Sequence, residues 1–345
     1  MASGNSKGLK LKIFLVALVF LVCYVAYKTT IGANVNIAAD TYYFYVAEKS
    51  TPETVADTLK RRGFLKSRLS FKTMAYIQKL ETIRPGMYEI QKDWSNMKLI
   101  AHFKEHQSKP TVFITLPALQ SRQAVIQSIC RGTGIHPDDV WRLLNDRKFV
   151  KELGGFSKES VFGIFLPRNY RIYKNSSAEA LVKRLYQEYL LFWNSDRMAQ
   201  AMDMGLKPYE VSILASIVYS ETKLVNEMPT IAGVYLNRIQ KNMRLESDPT
   251  LLYAGKKTGV RRVLLKDKNI SSPYNTYKNR GLPPGPIYIV PTWVIDKVLE
   301  YEGHDYLYFC ANHDLSGGHV FAETYDEHKE NAHRYHDKLD EENIF

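Results

Sequence analysis

From Lys12 to Lys28 the chain passes through fifteen unbroken apolar or aromatic positions, Ile13 to Tyr27, and no acid occurs in the first thirty residues. Fifteen residues is short for a spanning helix and within the range of a signal-peptide core. No small-x-small cleavage site follows directly in Thr29-Thr30-Ile31-Gly32-Ala33. The run is therefore read as an uncleaved anchor over residues 13–29, with a removed signal as the alternative. Tyr24 and Tyr27 would sit at the interface and the flanking lysines would snorkel to lengthen the span. Lys7, Lys10 and Lys12 would keep the tail, residues 1–12, in the cytoplasm and place everything after the anchor outside.

After the polar stretch near Ala38-Ala39-Asp40 the chain becomes rich in Tyr and Phe. Thr41 to Val46 predicts a strand, and Ser50-Thr51-Pro52-Glu53 predicts a capping box that opens a helix to about Arg61. A helix is predicted from Ser67 to Leu80, a strand at residues 86–90, a helix from Ser95 to Phe103 and a strand at residues 111–115. Residues 41–115 thus form a small α+β module. Ser121 to Glu188 predicts several short helices, interrupted by Gly132, Gly134, Gly154-Gly155 and a turn at Leu166-Pro-Arg-Asn169. The long polar connections after Leu245 carry Ser247-Asp248-Pro249, Ser272 to Tyr277 and Gly281 to Pro286; connections of that length are usually functional or disordered, and their tyrosines argue against disorder. A helix over 291–301, an aromatic strand over 306–310, a turn entering a strand at 317–321 and a final amphipathic helix complete an α+β fold whose larger part, residues 116–345, mixes both elements.

The segment Pro208 to Thr222 carries the chemistry. Pro208 suits a first helical turn and Glu210 suits the positive helix end. Val211, Leu214, Ala215 and Val218 recur at helical spacing, and Glu221 continues that stripe seven after Leu214 and three after Val218. A carboxyl facing apolar packing at a helix C-terminus is disfavoured as an anion by desolvation and by the dipole, so it keeps its proton, as a general acid must. The structural alternative is a frayed last turn with Glu221 in water. A second helix is predicted from Met228 to Gln240, with Met228, Ile231, Ala232, Tyr235 and Ile239 on one face.

The net charge of +11 permits nucleic-acid binding, but the lysines and arginines are scattered and no nucleic-acid motif accompanies them. An anionic wall polymer or membrane surface fits that charge as well. Three cysteines make no disulfide framework, and Cys130 and Cys310 read as two lone buried thiols, with a bond between them in an oxidising compartment as the alternative. His313, His319, His328, His333 and His336 with Cys310 match no familiar metal spacing, so neither metal nor cofactor is expected.

The run Leu214-Ala-Ser-Ile-Val218 with Glu221-Thr222, then Ile231-Ala-Gly-Val-Tyr-Leu-Asn-Arg238, resembles the endolytic murein transglycosylases, the YceG-like family. So do Ser247-Asp-Pro-Thr250, Pro273-Tyr-Asn-Thr-Tyr277, Gly281-Leu-Pro-Pro-Gly-Pro286, Tyr306-Leu-Tyr-Phe309 and Gly317-Gly-His-Val-Phe321, in order over about residues 205–335. The anchor, a LysM-like likeness in the small module and Phe165-Leu-Pro167 before Tyr170 extend the resemblance over most of the chain. It implies an enzyme of the inner membrane facing the periplasm or outer wall space, acting on nascent peptidoglycan strands beside the membrane lipid and the cell-wall synthesis machinery. It would cleave between N-acetylmuramic acid and N-acetylglucosamine, the muramyl 6-hydroxyl attacking its own anomeric carbon to leave a 1,6-anhydro end. The substrate then brings its own nucleophile, so one glutamate suffices as acid and afterwards base. That glutamate falls on Glu221.

The sequence departs from the family pattern at three places. Tyr219 stands where another glutamate is frequent, Glu246 where glutamine is commoner, and residues 163–170 differ from the usual Glu-Gly-x-Leu-Phe-Pro-Asp-Thr-Tyr. Around Glu221, Glu227 serves the start of the second helix or orients substrate, Glu246 adds charge near the cleft, and Asp248 shapes a turn or positions substrate. Tyr274, Asn275 and Tyr277 contact N-acetyl sugars or hold their loop together. Asn237 is expected to bond a loop, and Gly281 to Pro286 to line the cleft. Two other functions stay open: an inactive wall-binding scaffold, and a hydrolase pairing Glu221 with Glu246 or Asp248.

Overall fold

The computed structural model describes residues 5–105, 111–257 and 264–342. Residues 1–4 of the expected cytoplasmic tail lie outside them. The chain divides into two compact units, residues 1–112 with 172–174, and residues 113–171 with 175–345.

The first unit opens with helix α1 (Asn5–Thr30). Among the described residues no helix is long and apolar enough to cross a membrane, so the expected anchor is not shown. The apolar run inside α1 is fifteen residues, fewer than the ~20 that a bilayer core requires. Strand β1 (Thr41–Val46), helices α2 (Pro52–Arg61) and α3 (Arg68–Ile77), strand β2 (Gly86–Gln91) and helix α4 (Asn96–Glu105) follow. β1 and β2 are antiparallel, with Phe44 opposite Tyr88. Burial alternates along β1: Tyr42, Phe44 and Val46 face inward, and Leu59, Phe71, Leu99 and Phe103 are buried in the same unit. Thr51, not Ser50, caps α2. Its hydroxyl accepts from Thr54 N at 3.2 Å while Thr54 Oγ1 accepts from Thr51 N at 3.0 Å. Pro52 belongs at the first helical position, which makes its predecessor the cap.

Strands β3 (Thr111–Leu116) and β4 (Arg168–Tyr173) form a two-stranded ribbon. β4 replaces the turn expected near Asn169, since Tyr170 and Ile172 are buried at alternate positions and Pro167 stands just before the strand. Helices α5 (Arg122–Cys130), α6 (Pro137–Asn145), α7 (Arg147–Gly154), α8 (Ala178–Phe192) and α9 (Ser195–Asp203) lead to α10 (Pro208–Glu221) and α11 (Met228–Gln240). Then come α12 (Asp248–Ala254), α13 (Thr292–Leu299), strands β5 (Tyr308–Ala311) and β6 (His319–Ala322), and α14 (Tyr325–Glu341). β5 and β6 are antiparallel, with Cys310 opposite Val320. The second unit therefore mixes many helices with short two-stranded ribbons, as expected of an α+β fold. Cys130 and Cys310 are both free thiols.

Helix α10 is the axis of that unit. Every residue from Val211 to Val218 is buried, Ser212 and Ser216 included, because α9, α11, α12 and α13 pack around it. Ser216 satisfies its hydroxyl inside the core by donating to Ile213 O and accepting from Ile287 N. The turn Gly281 to Pro286 is thereby fastened to α10, and Gly285 is required there, since a Cβ would collide with the Glu159 carbonyl.

Candidate active site

Glu221 is the last residue of α10, and Thr222 turns the chain to extended geometry (φ −134°, ψ 153°). Its carboxyl is held by two hydroxyls from different elements. Tyr235 Oη, in the middle of α11, donates to Glu221 Oε1 at 2.6 Å, and Ser247 Oγ donates to the same oxygen at 2.5 Å. Among the described residues Oε2 accepts no hydrogen bond, and Glu221 keeps intermediate exposure. One oxygen is fixed as an acceptor and the other is left for a proton.

Burial pushes the Glu221 carboxyl above its ordinary value of 4.5, and the nearby Asp248 charge pushes the same way. The Ser247 and Tyr235 hydrogen bonds and the charge of His319 act in the opposite sense, with burial the largest influence. Tyr235 is itself pushed up by burial and by the Glu221 charge, so it acts as a hydroxyl donor.

Ser247 reaches Glu221 at a local cost. It is the N-cap residue of α12, yet its side chain makes no capping hydrogen bond. The unused cap is worth about 1 kcal/mol in an ordinary helix. The turn before it is constrained on both sides. Arg238, buried on α11, donates from Nη1 to Arg244 O at 2.9 Å, Leu245 O at 3.0 Å and Glu246 Oε2 at 3.3 Å. Glu246 adopts φ 55°, in the left-handed region that a branched or bulky side chain seldom enters. Ser247 N then donates to Thr276 Oγ1 at 3.0 Å.

The other expected residues fall into three groups. Asp248 and Glu246 are exposed carboxylates beside Ser247, and Asp248 Oδ1 accepts from Tyr277 Oη at 2.7 Å. Tyr277 is half-buried, its hydroxyl pushed upward by burial and by Asp248. Tyr274 and Asn275 face inward. Arg122 donates to the Tyr274 hydroxyl, and the ring lies 4.8 Å from that of Tyr253. Asn275, fully buried, donates to Lys268 O at 3.0 Å and Ile270 O at 2.8 Å while accepting from Tyr277 N. As placed, these two side chains brace the loop and leave Tyr277 as its outward-facing member.

Glu227 stands at the start of α11, the place expected for an acid at the positive helix end, though its side chain makes no capping hydrogen bond there. Its carboxylate accepts from Thr222 Oγ1 at 3.2 Å and from His319 through both the backbone N and Nδ1, each at 2.8 Å. Asn237 bonds the loop carbonyls of His304 and Tyr306. The Gly281 to Pro286 turn presents its apolar members toward the first half of α10. Leu282, Pro283 and Pro284 line a groove with Tyr209, Glu210 and Ile213 at the opposite end of α10.

Ser247, Tyr235 and His319 were not singled out by the sequence as site residues. One signal was available: Ser247-Asp248-Pro249 is a helix start, with a cap, an early acid and a proline, where a turn was read.

Comparisons with known proteins agree with this architecture. The chain is 28% identical over 327 residues to the endolytic murein transglycosylase of Bacillus subtilis strain 168, covering 89% of this chain and 85% of that protein. It is 26% identical over 355 residues to the endolytic murein transglycosylase of Streptococcus pneumoniae D39, covering 90% of this chain but only 61% of the relative's length. A crystal structure of a yceG-like protein from Listeria monocytogenes superposes with a TM-score of 0.52 at 22% identity, over 84% of this chain and 98% of that one, and shares the fold. With the family model matching residues 33–334, the chain belongs to the YceG-like family.

Proposed function

We propose that this protein is a lytic transglycosylase of peptidoglycan, cutting glycan strands internally between N-acetylmuramic acid and N-acetylglucosamine with Glu221 as its acid. The observation that carries the reading is the Glu221 carboxyl itself: raised by burial, with Oε1 held by Tyr235 and Ser247 and Oε2 unbonded among the described residues. Two relatives named endolytic murein transglycosylase support it.

In the reaction the protonated Oε2 donates to the bridging oxygen as the C1–O bond breaks. The muramyl 6-hydroxyl attacks the same anomeric carbon, and its proton returns to Glu221, closing the cycle without water. Tyr235 and Ser247 stabilise the carboxylate in the interval when the proton is on the leaving group. Asp248, Tyr277 and Glu246 form the rim on which substrate is oriented.

The competing hydrolase is favoured by one feature, the Asp248 carboxylate close enough to influence Glu221. Mass spectrometry of digested, purified glycan separates the two. A transglycosylase leaves 1,6-anhydromuramyl ends with no label from heavy-oxygen water; labelled reducing ends would assign the second carboxylate to Asp248 or Glu246 and overturn the proposal.

The same proposal gives the chain a membrane site. Ile13 to Tyr27 would remain attached as a single-pass inner-membrane anchor, extended by its lysines, with the tail cytoplasmic and the second unit periplasmic. Its support is a 26-residue helix whose Ile13, Phe14, Val16, Val19 and Phe20 are exposed. The LysM-like reading of residues 41–115 rests on the β1-α2-α3-β2 order and would add wall binding close to membrane lipid and the synthesis machinery. N-terminal sequencing of the fractionated native protein tests the anchor: a mature start near Ala33 or Ala39 in a soluble fraction overturns it.

A further inference from the structure

Thr222, the residue after Glu221 and the C-cap of α10, is buried. Its hydroxyl donates to Glu227 Oε2 and accepts from Leu224 N at 3.0 Å. The other donors to Glu227 come from one residue of β6, His319, whose backbone N meets Oε1 and whose Nδ1 meets Oε2, both at 2.8 Å. The two side chains are largely shielded from water, at 16% and 13% exposure, so the pair is screened less than a surface ion pair. Gly318 permits this approach, since a Cβ there would stand 2.8 Å from Glu227 Oε1.

The same ribbon touches the site at a second place. Phe309 of β5 packs edge-on against Tyr235, with centroids 5.9 Å apart at 87°, and against the His319 ring at 5.3 Å and 86°. Tyr235 is the donor that holds Glu221 Oε1. The ribbon thus reaches Glu221 along two routes, through Phe309 and Tyr235 to its carboxyl, and through His319, Glu227 and Thr222 to its backbone.

We infer that the β5–β6 ribbon is a positioning element for the acid, with His319 and Glu227 as positioning residues that fix Thr222 and thereby aim Glu221. The inference rests on the transglycosylase reading and adds how the acid is aimed. His319 acts through the Nδ1–H that it donates, and its tautomer is set by the carboxylate that receives it.

The test uses the full chain and four substitutions. His319→Ala is expected to lower kcat on purified glycan roughly tenfold or more while KM moves by less than about twofold, because misaiming a reacting group affects the chemical step most. His319→Asn puts an amide N–H where Nδ1 stood and restores most of the rate; His319→Gln, whose amide reaches the Nε2 position, does not. Hydrogen exchange gives a readout independent of catalysis: amides of residues 222–227 exchange faster in His319→Ala than in the parent or in His319→Asn. If His319→Ala fails to fold, Thr222→Val, which removes the hydroxyl at the other end of the chain, is expected to lower kcat and accelerate the same exchange to a smaller degree. Parental kcat in His319→Ala, or a His319→Asn protein no better than His319→Ala, overturns the inference. A parent protein that cuts no glycan would sink the transglycosylase reading instead, and the exchange comparison would still decide whether the tether exists.

Discussion

The two ends of α10 carry one glutamate each and treat them in opposite ways. Glu210, in the first turn, accepts from Lys207 N at 2.8 Å, the carboxylate half of a capping box, so its charge meets the positive helix end and an open backbone donor together. Glu221, in the last turn, faces the negative end, is pushed upward by burial and borrows its hydrogen bonds from α11 and from Ser247. The first arrangement follows local rules and stabilises the helix. The second breaks them, and Ser247 breaks a further one by leaving α12 without its side-chain cap. Departures of this kind collect where a protein acts rather than where it merely folds. By the rise of a helix the two carboxylates are ~16 Å apart, so the contrast can be examined by changing either end alone.

The largest effect belongs to Glu221→Gln. The amide keeps the shape and an acceptor oxygen, and loss of one general acid should lower cleavage of purified glycan at least roughly a hundredfold. Parental turnover by the folded variant would remove the difference between the two ends. The paired change, Glu210→Gln, should leave turnover within about twofold and lower stability by roughly 0.5–1 kcal/mol, measured by urea unfolding.

Tyr235→Phe and Ser247→Ala sharpen the comparison at the carboxyl itself. Each removes a hydrogen bond that favours the anion, so the Glu221 pKa rises further and the alkaline limb of the kcat/KM profile should move to higher pH. The rate maximum should fall roughly tenfold, as expected for losing one hydrogen bond to a charged group. An unmoved or acid-shifted limb would show that these hydroxyls do not govern the acid.

Stability reads the same carboxyl without substrate. The folded pKa of Glu221 lies above 4.5, so its contribution is fully present below that value and is lost as pH rises through the folded pKa. Glu221→Gln has no such loss. Its melting temperature relative to the parent should therefore climb between acid and neutral pH, and a flat difference would deny the burial effect. The smallest predicted change in activity per folded molecule is at Asn275. Because it is fully buried and bonds two loop carbonyls, Asn275→Ala should cost about 1–3 kcal/mol in unfolding free energy. A glycan affinity that falls sharply at unchanged stability would instead make Asn275 a sugar contact.

These contrasts also mark where the sequence was informative. α10 and α11 were legible because each repeats its own apolar period inside one element, β1 because it is rich in Tyr and Phe, and Pro208 and Pro52 stand where helices begin. β4 and α12 were not, since Pro167 and Pro249 read as turns although proline is equally suited to stand just before a strand or to open a helix. Glu221 was identified from its place on the stripe, but that stripe is one face of a helix buried on every side.

The sequence by itself determined the helix that carries Glu221, the proton-retaining character of a carboxyl at an apolar helix end, and the family to which the chain belongs. Only the tertiary structure decided which groups meet that carboxyl. Tyr235 and Ser247 lie 14 and 26 positions away, and His319 lies 92 positions from Glu227. Periodicity describes one element at a time. These partners are fixed by how α11 and α12 pack against α10 and how the β5–β6 ribbon meets Tyr235 and Glu227, and packing is a property of surfaces that no single stretch of chain contains.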